Sequence, residues 1–123
     1  MKIKVIDLTF SICKLEDCSQ VDISKEFTFF SKTDEENSLV CPTDFIPENV
    51  VEREDGYCCF RIEGILDFSL VGILAKISTL LAQQQISIFA ISTYNTDYIL
   101  VREEVKQRAI AVLKEAGYSI DLE

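Results

Sequence analysis

The chain has 123 residues, of which 48% are hydrophobic and 27% are charged, as expected for a soluble globular protein with one compact core or two small ones. It carries 12 basic and 21 acidic residues, and the net charge of -9 argues against a nucleic-acid partner because an acidic surface repels phosphates. There is no histidine, which excludes catalysis and metal binding through imidazole. Polar residues interrupt every apolar run well before the length of a bilayer span, so no membrane association is expected.

The first half of the chain is polar, and it predicts short strands with little helix. In chain order it first predicts a strand or bent pair of strands at 5–15 and a polar stretch with at most a short helix at 16–25. A hairpin follows, with strands at 27–33 and 38–41 around a turn at 34–37. One helical turn is predicted between Pro42 and Pro47, and then a strand at 50–54 that ends in a turn at Asp55 and Gly56.

The second half has clearer periodicity. It predicts a strand at 57–63, a loop at 64–69, a helix from Leu70 to Gln84 or Gln85, a strand at 86–93, a turn centred on Asn95, a strand at 97–102, a helix from Glu103 that stops at Gly117, and a strand at 118–122. This βαββαβ order predicts an α+β, ferredoxin-like fold with an antiparallel sheet and both helices on one face.

A weak internal repeat relates the two halves. Sliding the chain by 61 residues aligns residues 27–31 with 88–92 and residues 38–40 with 99–101. If this is not chance similarity between two hairpins, the chain contains two tandem copies of one fold, an abbreviated unit at 1–56 and a complete unit at 57–123. Strands 86–91 and 97–101 are apolar on both faces, which favours units that form a side-by-side sheet or a second subunit that covers the exposed face.

The five cysteines indicate reduced thiols rather than a disulfide framework. Their number is odd, and no signal peptide precedes them, which favours the cytoplasm. Cys13 and Cys18 lack a second pair at zinc-like spacing, and Cys58 and Cys59 would point to opposite faces of a strand. Small buried side chains are therefore the favoured interpretation, with redox or metal chemistry as the alternative.

The segment between strand 57–63 and the following helix is the first candidate ligand site. Free backbone N–H groups at the start of a helix can bind a carboxylate, and Asp67 could accept an ammonium group. Gly72 would let a ligand approach the backbone closely. Together these groups suit an amino acid; the alternative is that Asp67 or Ser69 only caps the helix and Gly72 only allows close packing.

The turn at 92–97 is the second candidate site. Its hydroxyl groups and the carboxylate of Asp97 could hold a small polar ligand, although the same residues are common in hairpin turns. No catalytic residues, glycine-rich phosphate loop or metal-ligand cluster can be identified in the sequence, so neither enzymatic activity nor a cofactor is expected.

The residues from Asp67 through Gly72, Ile73 and Leu74 to Ile88 resemble the signature of ACT domains. Residues 86–101 are similar to small tandem-ACT proteins related to the cytosolic arginine sensors called CASTOR, and to the paired regulatory domains of aspartate kinases. The similarity is strong over residues 57–118. Asp67 and Gly72 are five positions apart without an intervening proline, whereas many ACT domains have a proline within a shorter spacing.

The resemblance implies the ACT fold and an amino acid bound at an interface between ACT units. The loop before the helix and the turn after the second strand would supply the contacts, which are Asp67, Phe68, Ser69, Leu70, Val71, Gly72, Thr93, Tyr94 and Asp97. It also implies a regulated protein partner, and the strands that are apolar on both faces favour a homodimer. The alternative is a structural or interaction module that dimerises through its sheets and binds no ligand.

Overall fold

A computed structural model describes residues 1–63 and 72–122. Within those ranges the strands are β1 (Lys2–Leu15), β2 (Phe29–Lys32), β3 (Asn37–Pro42), β4 (Val50–Ile62), β5 (Phe89–Ser92), β6 (Asp97–Arg102) and β7 (Ser119–Asp121), and the helices are α1 (Ile73–Gln83) and α2 (Lys106–Glu115). Two short 3-10 turns occupy Thr43–Phe45 and Glu103–Val105. None of the helices in these ranges is long and apolar enough to cross a membrane.

The chain divides into two compact units. The terminal unit consists of Met1–Asp7 together with the chain from Cys58 onward, and the central unit is Leu8–Tyr57. The division at Tyr57 and Cys58 lies next to the expected boundary between residues 56 and 57. The first seven residues, however, pack with the C-terminal half of the chain.

In the terminal unit the strand order is β7-β1-β4-β6-β5. Strand β1 contributes its N-terminal part, up to Asp7, and β4 contributes its C-terminal part, from Cys58. Both helices pack on one face of these strands, because side chains that alternate along β1, β4 and β6 share a core with α1 and α2. The buried residues of this core are Ile3, Val5, Cys58, Phe60, Ile62, Ile77, Leu81, Ile86, Ile99, Val101, Ala109, Ile110 and Leu113. The predicted α+β arrangement of strands and helices is confirmed.

The helix ends follow from local sequence. Helix α1 ends at Gln83, and the following Gln85 takes a left-handed φ of 61° while the Ile86 N–H bonds the carbonyl of Leu81. Gly117 stops α2 as predicted, with a φ of 101° that residues with a side chain rarely adopt. The N–H of Tyr118 then bonds the carbonyl of Leu113. The predicted helix at Glu103 instead begins with a 3-10 turn and becomes α-helical at Lys106.

The predicted antiparallel sheet contains one parallel pair of strands. Strand β7 pairs in parallel with β1, with Lys2 opposite Ser119 and Lys4 opposite Asp121. On its other side β1 neighbours β4, and the N–H of Glu63 bonds the carbonyl of Lys2 at 2.9 Å. The start of β1 therefore lies between the two strands that the βαββαβ order would place together, because its apolar residues complete the core.

The central unit has the strand order β2-β3-β1-β4. It contains the C-terminal part of β1, from Leu8, and the N-terminal part of β4, up to Tyr57. This is the strand order of the ferredoxin-like plait, in which two crossovers normally carry helices. Here residues 16–28 form turns and bends, and the second crossover contains only the 3-10 turn Thr43–Phe45. Cys13, Leu15, Leu39 and Cys41 form its buried cluster. The central unit is therefore a plait without its two helices.

The predicted turn at Asp55 and Gly56 is wrong, because β4 continues through both residues. Gly56 adopts a φ of 82° within the strand, which a residue without a Cβ atom tolerates. The Asp55 carboxylate is held by the Ser11 hydroxyl at 2.6 Å and by Arg53 at 3.0 and 3.2 Å. These contacts connect the side chain of Asp55, which is still exposed, to the neighbouring strand β1.

The internal repeat has an offset of 60 residues rather than 61. Adding 60 to the bounds of β2, β3 and the turn Thr43–Phe45 gives the bounds of β5, β6 and the turn Glu103–Val105. The registers agree as well, since Phe29 pairs with Val40 and Phe89 pairs with Leu100. An error of one residue matters because it exchanges the two faces of a strand.

The five cysteines are free thiols. Four are buried, as predicted for small core side chains, whereas Cys18 is exposed. Burial raises the pKa of Cys58 to about 11 and that of Cys59 to about 12, so both remain protonated at neutral pH.

Candidate functional site

A cleft in the terminal unit lies where β4 ends and the β5–β6 hairpin turns. Strand β5 runs antiparallel to β6, and the Thr96 hydroxyl in their turn bonds the carbonyl of Ile62, so the end of β4 lies beside this turn. The cleft has a volume of about 450 Å³ and is lined by Arg61, Ile62, Glu63, Thr93, Tyr94, Asn95, Thr96 and Tyr98. This volume lies within the range of small-molecule sites.

Arg61 is the cation of this cleft. Its Nε lies 3.5 Å from a carboxylate oxygen of Glu63, and its guanidinium carbon lies 5.9 Å from the centre of the Tyr98 ring. A hydrogen bond with Tyr98 and the nearby Glu63 carboxylate raise the pKa of Arg61, which stays charged. The side chains of Arg61 and Glu63 are 24% and 30% exposed, so both are accessible to a ligand. Solvent screens the attraction between their charges only in part.

The hairpin turn is held against the end of β4 by its threonines. The hydroxyl of Thr93 donates to the Thr96 carbonyl at 2.9 Å, and the Thr93 N–H bonds the same carbonyl. Thr96 is buried, and its hydroxyl donates to the carbonyl of Ile62. These bonds give the cleft wall a defined position, because each is made to backbone atoms of a strand or turn.

The cleft thus presents a guanidinium, a carboxylate and several hydroxyl groups within one small volume. A guanidinium binds carboxylates through paired hydrogen bonds, and a carboxylate accepts from an ammonium group. This set suits a small zwitterion. The described part of the chain contains no cluster of three or more acidic or cysteine residues that could hold a metal ion.

The structure brings together only some of the residues expected to bind a ligand. Thr93 and Tyr94 line the cleft, and Tyr94 is 83% exposed. Asp97 lies on the opposite face of β6 from Tyr98, because adjacent residues of a strand alternate. Its carboxylate accepts a hydrogen bond from the hydroxyl of Ser92, its cross-strand neighbour.

Gly72 lines a separate cavity of about 390 Å³, together with residues from α1 and from the end of α2 such as Lys76 and Gly117. It takes a left-handed φ of 81° at the start of α1, where no side chain caps the helix. The other predicted contacts, Asp67, Phe68, Ser69, Leu70 and Val71, lie outside the described residues.

Sequence reasoning missed Arg61, Glu63 and Tyr98. A signal existed, since Arg61 and Glu63 place two opposite charges two residues apart at the end of the otherwise apolar segment 57–63. Alternation at the end of β4 favours one face for both charges, and Tyr98 on the neighbouring strand β6 has its ring centre 5.9 Å from the guanidinium carbon of Arg61.

A comparison with known protein families identifies the family of this chain. Residues 52–115 match the model of a family described as an ACT domain, and this segment is more than half of the chain. The chain belongs to the ACT-domain family. Members of this family are typically regulatory modules that bind small molecules, and they often bind amino acids and dimerise. The predicted resemblance and the predicted fold class are both confirmed.

Solved structures agree with this assignment. A protein from Agobacterium tumefaciens is 31% identical, with a TM-score of 0.88 over 99% of this chain and 92% of that one. A protein of unknown function from Vibrio cholerae is 22% identical, with a TM-score of 0.73 over 93% and 88%. The ligand-free regulatory subunit of aspartate kinase from Thermus thermophilus is 10% identical, with a TM-score of 0.65 over 95% and 97%. No curated protein matches the chain in sequence.

Proposed function

We propose that this ACT-domain protein is a non-catalytic sensor that binds a small amino acid in the cleft beside Arg61. The ion pair between Arg61 and Glu63 at 3.5 Å carries the proposal. A zwitterion offers one carboxylate and one ammonium group, so it can replace this pair with two new pairs. Arg61 would bind the ligand carboxylate, and Glu63 would accept from the ammonium group.

The hairpin turn would supply the remaining polar contacts. Thr93 and Tyr94 line the cleft and stay proposed ligand contacts. Residues 67–71 and Gly72 stay proposed ligand contacts. Asp97 would act by bonding Ser92 and so closing the β5–β6 hairpin.

A thermal-shift screen of the twenty amino acids tests this proposal. We expect at least one of them to raise the melting temperature, because a ligand that binds only the folded state stabilises it by about 2.7 kcal/mol at a hundredfold excess over its dissociation constant. In calorimetric titrations with that amino acid, Arg61→Gln should weaken binding at least tenfold, since hydrogen bonds between charged groups contribute about 1.5–3 kcal/mol.

The chain offers a matched control for this substitution. Arg53 and Asp55 form an ion pair at 3.0 Å at the same two-residue spacing, but on the central unit. Arg53→Gln should therefore leave the affinity unchanged. Thr93→Val and Thr33→Val form a second pair, because each threonine bonds its own turn and only Thr93 lines the cleft. A screen without any response, or equal losses in Arg61→Gln and Arg53→Gln, would contradict the proposal.

We also propose that the protein is a cytoplasmic homodimer that acts on a regulated protein partner. Strand β5 pairs only with β6 among the described strands, so its outer edge can pair with another chain. Light scattering should give twice the monomer mass, and a monomer mass at micromolar concentration would refute the dimer. The ligand would act by favouring one arrangement of the subunits through a difference in affinity.

A further inference from the structure

Two cysteines that are far apart in sequence meet in the central unit. In the register of β1 and β3, Ser11 lies opposite Cys41 and Cys13 lies opposite Leu39. Cys13 and Cys41 are therefore diagonal neighbours on the same face of adjacent strands. They belong to one buried cluster, and their exposed fractions are 3% and 1%.

The two thiols differ electrostatically. The interaction between the two side chains lowers the pKa of Cys13 and raises that of Cys41. The guanidinium of Arg53 favours the thiolate at both positions, and the Asp55 carboxylate opposes it at Cys13. Cys13 is thus the more acidic of the two thiols, and Cys41 stays protonated beside it.

We propose that Cys13 and Cys41 form a reversible intramolecular disulfide when the protein meets hydrogen peroxide. The Cys13 thiolate attacks one peroxide oxygen, the O–O bond breaks, and a sulfenic acid forms with release of hydroxide. The Cys41 thiol then attacks the sulfenic sulfur, so that the S–S bond forms, the S–O bond breaks and water leaves. Overall, two thiols and one peroxide give one disulfide and two water molecules.

This modification would have a local structural effect. A disulfide would connect β1 to β3 across the 16–28 segment, which contains turns and bends without a helix. It would therefore restrict the part of the central unit that has the least regular structure. A thiol reductant would restore the original state, as expected for a redox-sensitive pair. The proposal is independent of ligand binding in the terminal unit.

Peptide mapping by mass spectrometry tests the proposal. The purified protein is treated with hydrogen peroxide, and its free thiols are then alkylated in denaturant. We expect a peptide pair cross-linked through Cys13 and Cys41 that has lost two hydrogen atoms and that a reductant separates. Cys58 and Cys59 are internal controls, because they are equally buried but have raised pKa values. They should be oxidised at least tenfold more slowly.

Two variants separate this reaction from non-specific oxidation. Cys18→Ser removes the exposed thiol and should leave the cross-link unchanged. Cys13→Ser should abolish the cross-link, and circular dichroism should show that the variant is folded. If the variant does not fold, the oxidation rates of Cys13 and Cys41 relative to Cys58 in the unmodified protein still test the proposal. The proposal is overturned if Cys13 and Cys41 are both alkylated after oxidation, or if they oxidise no faster than Cys58 and Cys59.

Discussion

Replacement of Leu81 by alanine should destabilise the protein by about 3 kcal/mol, because it leaves a cavity in the core of the terminal unit. Leu81 is fully buried on α1 and packs in the cluster that includes Phe60 and Ile77. Alanine is the best helix former, so the loss would measure packing rather than helix propensity. Urea denaturation followed by circular dichroism gives the free energy of unfolding.

Leu122→Ala is the matched control for this cavity. Leu122 is 58% exposed, so the same chemical change should alter the free energy of unfolding by less than about 0.5 kcal/mol. A loss at Leu81 no larger than the loss at Leu122 would show that α1 does not pack on the sheet as described.

Ser11→Ala should destabilise the central unit by about 1–2 kcal/mol at neutral pH, because it removes a buried hydroxyl that makes two hydrogen bonds. Ser11 is fully buried, donates to Asp55 at 2.6 Å and shares a hydrogen bond of 2.8 Å with Thr43. Asp55 is itself exposed, so solvent screens its ion pair with Arg53. Urea denaturation at several pH values would measure the effect.

The effect of Ser11→Ala should depend on pH. The hydrogen bond from Ser11, and then the bonds from Arg53, lower the pKa of Asp55 below its ordinary value. A depressed folded-state pKa contributes stability that is present above the unfolded-state pKa and is lost as the pH falls through the folded-state value. The difference between the unmodified protein and Ser11→Ala should therefore shrink in acid, and carbon NMR should show a higher pKa for Asp55 in the variant.

Ser24→Ala is the control for this hydrogen bond. The Ser24 hydroxyl donates to Asp22 at 2.6 Å, the same length as the bond from Ser11, but both residues are exposed. We expect almost no change in stability, since water can replace an exposed bond. Equal losses in Ser11→Ala and Ser24→Ala, or an unchanged pKa of Asp55, would contradict the role of the buried hydroxyl.

Local patterns predicted the elements whose formation depends on local interactions. The strand at 97–102 was predicted with its observed bounds, and Gly117 ends α2 as expected. The single helical turn after Pro42 was also predicted. In each case the deciding property, an apolar run between turn residues or a glycine after a helix, lies within a few residues.

Features that depend on distant partners were missed. Gly56 follows an aspartate and therefore indicates a turn, yet Ser11 holds Asp55 within a strand from 44 residues away. The parallel pairing of β1 with β7 joins the first and last strands, and no periodicity reports on it. The contact between Cys13 and Cys41 likewise depends on strand register, which spacing in the sequence does not reveal.

The candidate site was predicted in part for the same reason. The turn residues Thr93 and Tyr94 were found because turns have a compositional signal. Arg61 and Glu63 were missed because charges at a strand end are usually solvated surface groups, and only the position of Tyr98 on the adjacent strand makes them part of a cleft.

The position of Met1–Asp7 within the terminal unit limits how this protein can be dissected. A fragment that begins at Tyr57 would contain every element of a βαββαβ domain, yet it would lack Ile3 and Val5 and leave one side of β7 unpaired. The terminal unit of this chain is thus discontinuous, and a single-segment fragment would keep Ile3 and Val5 only as a circular permutant that joins the first strand to the C-terminus.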